Sequence, residues 1–180
     1  MTYSIIYMDP PWKYSNSKMS SGSNIQDNYP TMTMAELKEL PIKEITEKDS
    51  LIYMWSTSPF ISESIELARH WGFSFRTVAF VWDKQSYTPG FYTGGGTEQV
   101  LVFKKKGGKI PQPRGTRNER QFLSQKKREH SRKPDEIRNA IYRMHPTQSK
   151  LEMFARVSSE GWDVWGNETN KFNINETELF

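Results

Sequence analysis

Tyr3-Ser4-Ile5-Ile6-Tyr7-Met8-Asp9-Pro10-Pro11-Trp12 opens the chain with a six-residue apolar run and then breaks it abruptly. The run is β-rich and lacks a helical period, so residues 3–8 read as a short strand buried on both faces. In open α/β sheets, ligands collect just outside the carboxyl ends of such strands. Asp9, Pro10, Pro11 and Trp12 follow that end directly. A carboxylate, two conformationally fixed residues and a flat indole are thereby delivered together to the usual reaction site.

That set suits chemistry on the exocyclic amine of a planar base. An aromatic amine such as N6 of adenine is a poor nucleophile, because its lone pair is delocalised into the ring. Acceptors on its two hydrogens favour a tetrahedral nitrogen and localise that pair. Asp9 offers one acceptor. The carbonyl of Pro10 offers the other, held in one pose by the fixed φ of consecutive prolines. Trp12 offers a face for an extruded base, and one such stack contributes about 1–3 kcal/mol. The competing structural reading is a Pro-Pro turn with Trp12 plugging the core.

The 180 residues fit one domain with a real core, at 35% hydrophobic and 13% aromatic content. The sequence has no cysteine, which excludes disulfides and thiolate metal sites. His70, His130 and His145 show no ligand spacing, so no metal is expected. No stretch approaches a membrane span and no basic-then-apolar leader precedes the first strand, so the expectation is a cytoplasmic protein without membrane contact. Charge is uneven. Residues 104–133 hold twelve basic and two acidic residues, a net +10 in a chain whose total is +4, which leaves −6 for the rest. A basic segment in an otherwise acidic protein points to a polyanion, nucleic acid first. Lys104, Lys105, Lys106, Arg114, Arg117, Lys126, Lys127 and Arg128 are its candidate phosphate contacts. Gly107-Gly108, Pro111 and Pro113 make the segment read as a long irregular loop, and the competing reading is a solvated loop that confers solubility.

Along the chain, strands and helices alternate. Residues 13–29 read as a polar loop over the site. Thr33-Met-Ala-Glu36 is a capping box that starts a helix to about Leu40. Ser50–Ser56 reads as a second buried strand. Ser58 and Pro59 predict a helix start, with Gly72 stopping the helix after Trp71. Strands are expected at 73–82 and 97–104, with Gly94-Gly95-Gly96 as a flexible tip between them. A helix is expected from Arg132 to Met144, and strands at 150–155 and 162–165. The pattern predicts a doubly wound α/β sheet, with residues 1–169 as one domain and 170–180 as a frayed tail.

Asp9-Pro10-Pro11-Trp12, Arg128-Glu-His-Ser-Arg-Lys-Pro-Asp-Glu136, Lys150-Leu-Glu-Met-Phe-Ala-Arg156 and Gly161-Trp-Asp-Val-Trp-Gly-Asn-Glu168 occur in that order. Together they resemble the MT-A70 family of N6-adenine methyltransferases, and most of all its compact bacterial and phage members. The resemblance implies a Rossmann-like scaffold with permuted motif order, S-adenosylmethionine as methyl donor and N6 of adenine as acceptor. It implies that Asp9 faces both the target amine and the methionine end of the cofactor, and that Lys133 pairs with the cofactor carboxylate. Glu152 and Arg156 match positions near the cofactor ribose, against a reading as a surface ion pair. Asn167 and Glu168 match contacts to the nucleoside end. Larger relatives carry an upstream segment that helps bind the cofactor adenine, which here leaves that contact to residues 162–167. Val157-Ser-Ser does not match the family pattern.

The leading expectation is therefore a methyltransferase acting on adenine in DNA. The alternatives are an RNA N6-adenosine methyltransferase, and a catalytically silent nucleic-acid-binding subunit of a methyltransferase complex. The intact Asp9 argues against the silent subunit. The chain's small size leaves room for a homodimer or a partner subunit that completes base recognition.

Overall fold

The computed structural model describes residues 1–13, 31–89, 92–128, 132–155 and 157–166. Arg156, Asn167, Glu168, the loop expected over the site and the C-terminal tail lie outside them, apart from Lys13. Within the described residues the chain is mixed α/β, built on one seven-stranded sheet. Its strands are β1 (Tyr3–Met8), β2 (Thr46–Ser56), β3 (Phe73–Thr88), β4 (Gly95–Lys105), β5 (Phe122–Ser124), β6 (Lys150–Met153) and β7 (Asp163–Trp165). They lie in the order β5-β3-β4-β2-β1-β6-β7.

β1 pairs in parallel with β2 on one side and β6 on the other, as its unbroken apolar run demanded. Its side chains alternate between two cores. Ile6 and Met8 join Ile52, Met54, Leu101 and Phe103 under α1 (Met34–Lys38) and α2 (Ile61–His70). Ile5 and Tyr7 join Leu51, Tyr53, Trp55, Val100 and Val102 under α3 (Asp135–Met144). Helices therefore cover both faces of the sheet.

β4 departs from the parallel arrangement. It runs antiparallel to both β2 and β3. The connection from Thr88 to Gly95 is too short for a crossover, so β3 and β4 must form a hairpin. Both strands are longer than the sequence suggested, and Gly95 and Gly96 belong to β4 rather than to a free tip.

The local signals fared unevenly. The Thr33 capping box is formed in full. Gly72 ends the α2 region with φ +84°, a conformation that needs no side-chain accommodation in glycine. Ser58 and Pro59 do not start an α-helix. They form a 3₁₀ turn, Ser58–Phe60, which leads into α2. The helix expected from Arg132 begins instead at Asp135, because Pro134 is extended (φ −61°, ψ 127°) and a proline disfavours helical geometry in the residue before it. β6 stops at Met153 rather than at 155, and Phe154 adopts φ 60°. The basic segment is not one loop: Lys104 and Lys105 lie in β4, and β5 interrupts the remainder. No helix among the described residues is long and apolar enough to cross a membrane.

Candidate active site

Parallel pairing fixes where the opening motif lies. Tyr7 is opposite Tyr53 in β2 and Glu152 in β6, so Asp9 leaves the sheet between the carboxyl ends of these two strands. Asp9 continues the alternation of Ile5 and Tyr7, which places its carboxylate on the α3 side. β4 enters the same edge from the opposite direction, which brings its first turn of side chains to the site.

The charge partners are explicit. Lys133 Nζ lies 2.8 Å from Asp9 Oδ2 and 3.0 Å from Glu98 Oε2. Lys84 Nζ lies 3.3 Å from Glu98 Oε1. The Lys133 ammonium also sits 5.3 Å from the centroid of the Trp55 ring. Side-chain exposure falls from 37% at Asp9 to 18% at Lys133 and 10% at Glu98, so only the first of the three opens to solvent. Burial opposes the charge on Lys133, yet the carboxylates of Asp9 and Glu98 outweigh it and hold the pKa above the ordinary lysine value. Burial likewise opposes ionisation of Glu98, and Lys133 and Lys84 bring its pKa below the usual carboxylate range.

Pro134 makes this contact possible. A proline disfavours helical geometry in the residue before it, so Lys133 stays outside α3 and its side chain reaches Asp9 and Glu98. A second pair lies beside the first. Arg138 on α3 reaches Glu152 Oε2 at 3.3 Å and Asp135 Oδ1 at 2.9 Å. Burial, only partly offset by Arg138, keeps the Glu152 carboxyl above its usual pKa. Glu152 is thus a half-buried carboxylate paired with Arg138 rather than part of an exposed surface ion pair. Below both pairs, Trp55 Nε1 donates to the Tyr7 hydroxyl at 2.6 Å and fixes the floor.

The proline turn is ordered by its own backbone. Trp12 N–H donates to Pro10 O at 2.9 Å, and Met32 N–H donates to Pro11 O at 2.7 Å. A carbonyl oxygen has two lone pairs, so Pro10 O keeps one acceptor position. Trp12 stacks on Phe60, with centroids 5.4 Å apart and planes 18° apart, and packs against the core under α1 and α2. One indole face is therefore occupied, as the structural reading expected. Its Nε1 is buried without a hydrogen-bond partner among the described residues.

The basic candidates divide between the two ends of the sheet. β4 runs away from the site, so Lys104 and Lys105 lie at the opposite edge, opposite Leu51 and Phe73. Lys104 Nζ caps Gly108 O, and Lys105 Nζ caps Thr46 O at 2.8 Å. Lys106 follows at the same end, where its N–H meets Gly72 O. Arg114 acts on Tyr53 and His145, and Gly115 and Thr116 bond to the last turn of α3, so Arg114 and Arg117 also lie away from Asp9. Lys126, Lys127 and Arg128 return to the site. Gln125 N–H and Lys127 N–H bond to Asp83 O and Lys84 O, and Arg128 pairs with Asp135 at 3.0 Å. Trp162, a candidate for the cofactor adenine, is buried against Tyr7 in the core.

Glu98, Lys84 and Arg138 did not stand out in the sequence. Glu98 left a readable trace, because it shares a strand face with Val100 and Val102, and a carboxylate in phase with a buried apolar row needs a cation. Arg138 left none, since a charged residue one place after Ile137 is ordinary in a helix.

The central strand thus ends on a half-open acid, Asp9, with the half-buried Lys133 behind it. The MT-A70 family model matches residues 3–168. The chain belongs to the MT-A70 family. The "Type II methyltransferase M.MunI" of a Mycoplasma species is 43% identical over 190 residues, covering 96% of this MT-A70 chain and 81% of its own length. The "N(6)-adenosine-methyltransferase MT-A70-like" protein of Arabidopsis thaliana is 29% identical, covering 94% of this chain and 24% of its own. The "N6-methyladenosine RNA methyltransferase MTA1" of Pyricularia oryzae is 28% identical, covering 94% and 48%. This MT-A70 chain spans about four-fifths of the first relative and half or less of the other two.

Proposed function

We propose that the chain transfers a methyl group from S-adenosylmethionine to N6 of adenine in DNA. The observation that carries this reading is the placement of Asp9. It is the half-exposed member of an Asp9–Lys133–Glu98 triad that becomes more buried toward Glu98, at the carboxyl end of the central strand and at the head of the Asp-Pro-Pro-Trp turn. The preference for DNA follows the relatives: the one at 43% identity is named a type II methyltransferase, and those named for adenosine or RNA stand at 29% and 28%.

The residues present fit the cofactor. An ammonium has three donors, and Lys133 directs two at Asp9 and Glu98, so a third is left for a carboxylate. Asp9 can accept from an α-ammonium, and Glu152 from ribose hydroxyls. Arg156, Asn167 and Glu168 belong to this assignment by motif. When bound, S-adenosylmethionine supplies a methyl group activated by a sulfonium.

The chain's own residues then position the acceptor amine. Asp9 and the remaining lone pair of Pro10 O hold the two N6 hydrogens. Lys133 and Glu98 fix the Asp9 carboxylate from behind, so it does not reorganise as charge develops on nitrogen. Most of the acceleration comes from alignment in a site that excludes water. Lys126 and Lys127, on the site's side of the sheet, contact phosphates, and a second copy or partner chain is assigned the rest of the DNA surface.

The test supplies labelled S-adenosylmethionine with duplex DNA, single-stranded DNA or RNA, to wild type and Asp9→Ala. Label recovered as N6-methyladenine from DNA, and lost in the variant, is the expected result. Label in cytosine, preferential label in RNA, or full activity of Asp9→Ala would overturn the reading.

A further inference from the structure

The β3–β4 hairpin continues past the site. Trp82 lies opposite Glu98 at the level of the triad, and the paired strands run on to Thr88 opposite Gly95. β4 needs only three residues, Glu98 to Gly95, to cover this stretch, so at the rise of a strand the end of the pairing lies roughly 10 Å beyond the site. A two-stranded ribbon therefore projects from the face where Asp9 opens.

Its end is built unlike a solvated turn. Tyr87 is 76% exposed and Tyr92 100% exposed, so neither ring gains from burial in the protein. The Tyr87 ring lies against Gly94, where any Cβ would come within 1.8 Å of Cε2, so glycine is what lets the ring sit against the ribbon. Gly96 approaches Ser86 O in the same way, at 2.5 Å from an added Cβ, which keeps the two strands tight. Residues 84–97 contain no acid. The ribbon leaves the sheet through an irregularity between Asp83 and Thr88. That irregularity is pinned: Gln85 N–H donates to Asp83 Oδ1 at 2.9 Å, and Ser124 Oγ donates to Asp83 Oδ2 at 2.8 Å. Bulges of this kind re-aim a strand. The exposed cations Lys126 and Lys127 flank its base, tied to β3 by the bonds from Gln125 and Lys127.

We propose that Tyr87, on β3, and Tyr92, just ahead of β4, enter the DNA beside the target adenine and stack on bases uncovered by its extrusion, while Lys126 and Lys127 hold the flanking phosphates. A two-stranded ribbon fits the major groove, and aromatic faces stack on bases with little regard to sequence. Extruding a base leaves unstacked neighbours, and a ring inserted there offsets part of that cost. The inference rests on the reading of DNA adenine as substrate, and it assigns the element that opens the duplex.

The full-length chain would be tested as wild type, as the Tyr87→Ala/Tyr92→Ala pair and as the Tyr87→Phe/Tyr92→Phe pair. The probe is a mixed-sequence DNA fragment, duplex or heat-denatured, with labelled S-adenosylmethionine. The alanine pair should weaken duplex binding about tenfold to a hundredfold, the range expected for losing base stacks. Its KM for duplex DNA should rise in step, with less loss on denatured DNA. The phenylalanine pair should behave as wild type, and melting temperature and cofactor affinity should be unchanged in both. Unchanged duplex affinity in the alanine pair overturns the proposal, as does a phenylalanine pair as weak as the alanine pair. So does a change in sedimentation from dimer to monomer at constant DNA affinity, which would make the ribbon a contact between copies. Ribbon-dependent DNA binding without label in adenine would overturn the proposed function, and with it the ribbon's place beside an extruded adenine, leaving the ribbon a DNA contact. Adenine labelling that ignores the tyrosines would keep the proposed function and remove this inference.

Discussion

Replacing Lys133 by methionine keeps most of the buried stem and removes the charge between two carboxylates. In the native site its Nζ lies 2.8 Å from Asp9 Oδ2 and 3.0 Å from Glu98 Oε2, so those two oxygens are no more than about 6 Å apart. Two like charges at that separation repel by about 3 kcal/mol at an effective dielectric constant near 20. Removing one partner from a buried pair costs about 3–5 kcal/mol in general, and the solvent access of Asp9 places this case at the lower end. The sign of the pH dependence follows from Glu98. In the native protein burial raises its pKa and the two lysines outweigh that; without Lys133, burial is opposed by Lys84 alone and the Glu98 pKa rises. Its ionised form then opposes folding above that raised pKa, and protonation relieves the opposition as pH falls. Lys133→Met should therefore lose about 3 kcal/mol of unfolding free energy near pH 8 and distinctly less near pH 5, measured by urea denaturation across the range. A loss that stays constant with pH, or stays below about 0.5 kcal/mol, would show that the two carboxylates do not share the lysine in solution.

Three further outcomes follow from the same structure. Arg138→Met strands Glu152 among buried groups and should cost about 3 kcal/mol, with weakened cofactor binding by calorimetry; full stability would place Glu152 in solvent. His145 is buried with Nε2 2.8 Å from the Tyr53 hydroxyl, and burial, with Arg114 and Lys150, pushes its pKa down to about 4. Because the unfolded state binds the proton first, stability should decline as pH falls from about 6.5 toward 4, by up to about 3 kcal/mol, and His145→Gln should flatten that decline in thermal melts. Lys126→Gln and Lys127→Gln should each reduce the salt slope of DNA binding by about 0.9, while neutralising Lys104 and Lys106 should leave it unchanged. An equal effect from both sets would mean that DNA reaches the far edge of the sheet.

The sequence made the centre of the fold legible because its signals there are local and strong. Five apolar residues and one serine without a helical period leave β1 little choice but a doubly covered strand, and Asp9 then has one place to emerge. The Thr33 capping box and Gly72 are similarly self-contained. Other features depend on partners far away in the chain. The twelve basic residues of 104–133 look alike in a charge count, yet β4 carries two of them to the edge opposite Asp9, and Pro134 turns Lys133 inward. Glu98 was hidden because its cation lies thirty-five positions later. The glycines at 94–96 pointed to a tip, but the tightness of the hairpin decides the direction of β4, and with it the arrival of Glu98 at the site.

The position of β1 bears on how the molecule is made. It leaves the ribosome before both of its neighbours, which begin at Thr46 and Lys150. At about 5–20 residues per second, one flank of the most water-averse strand stays unpaired until β6 has followed. An open flank of that kind invites pairing with other nascent chains. Yield in cells should accordingly respond to translation speed and to chaperone supply more strongly than the stability of the finished protein would suggest.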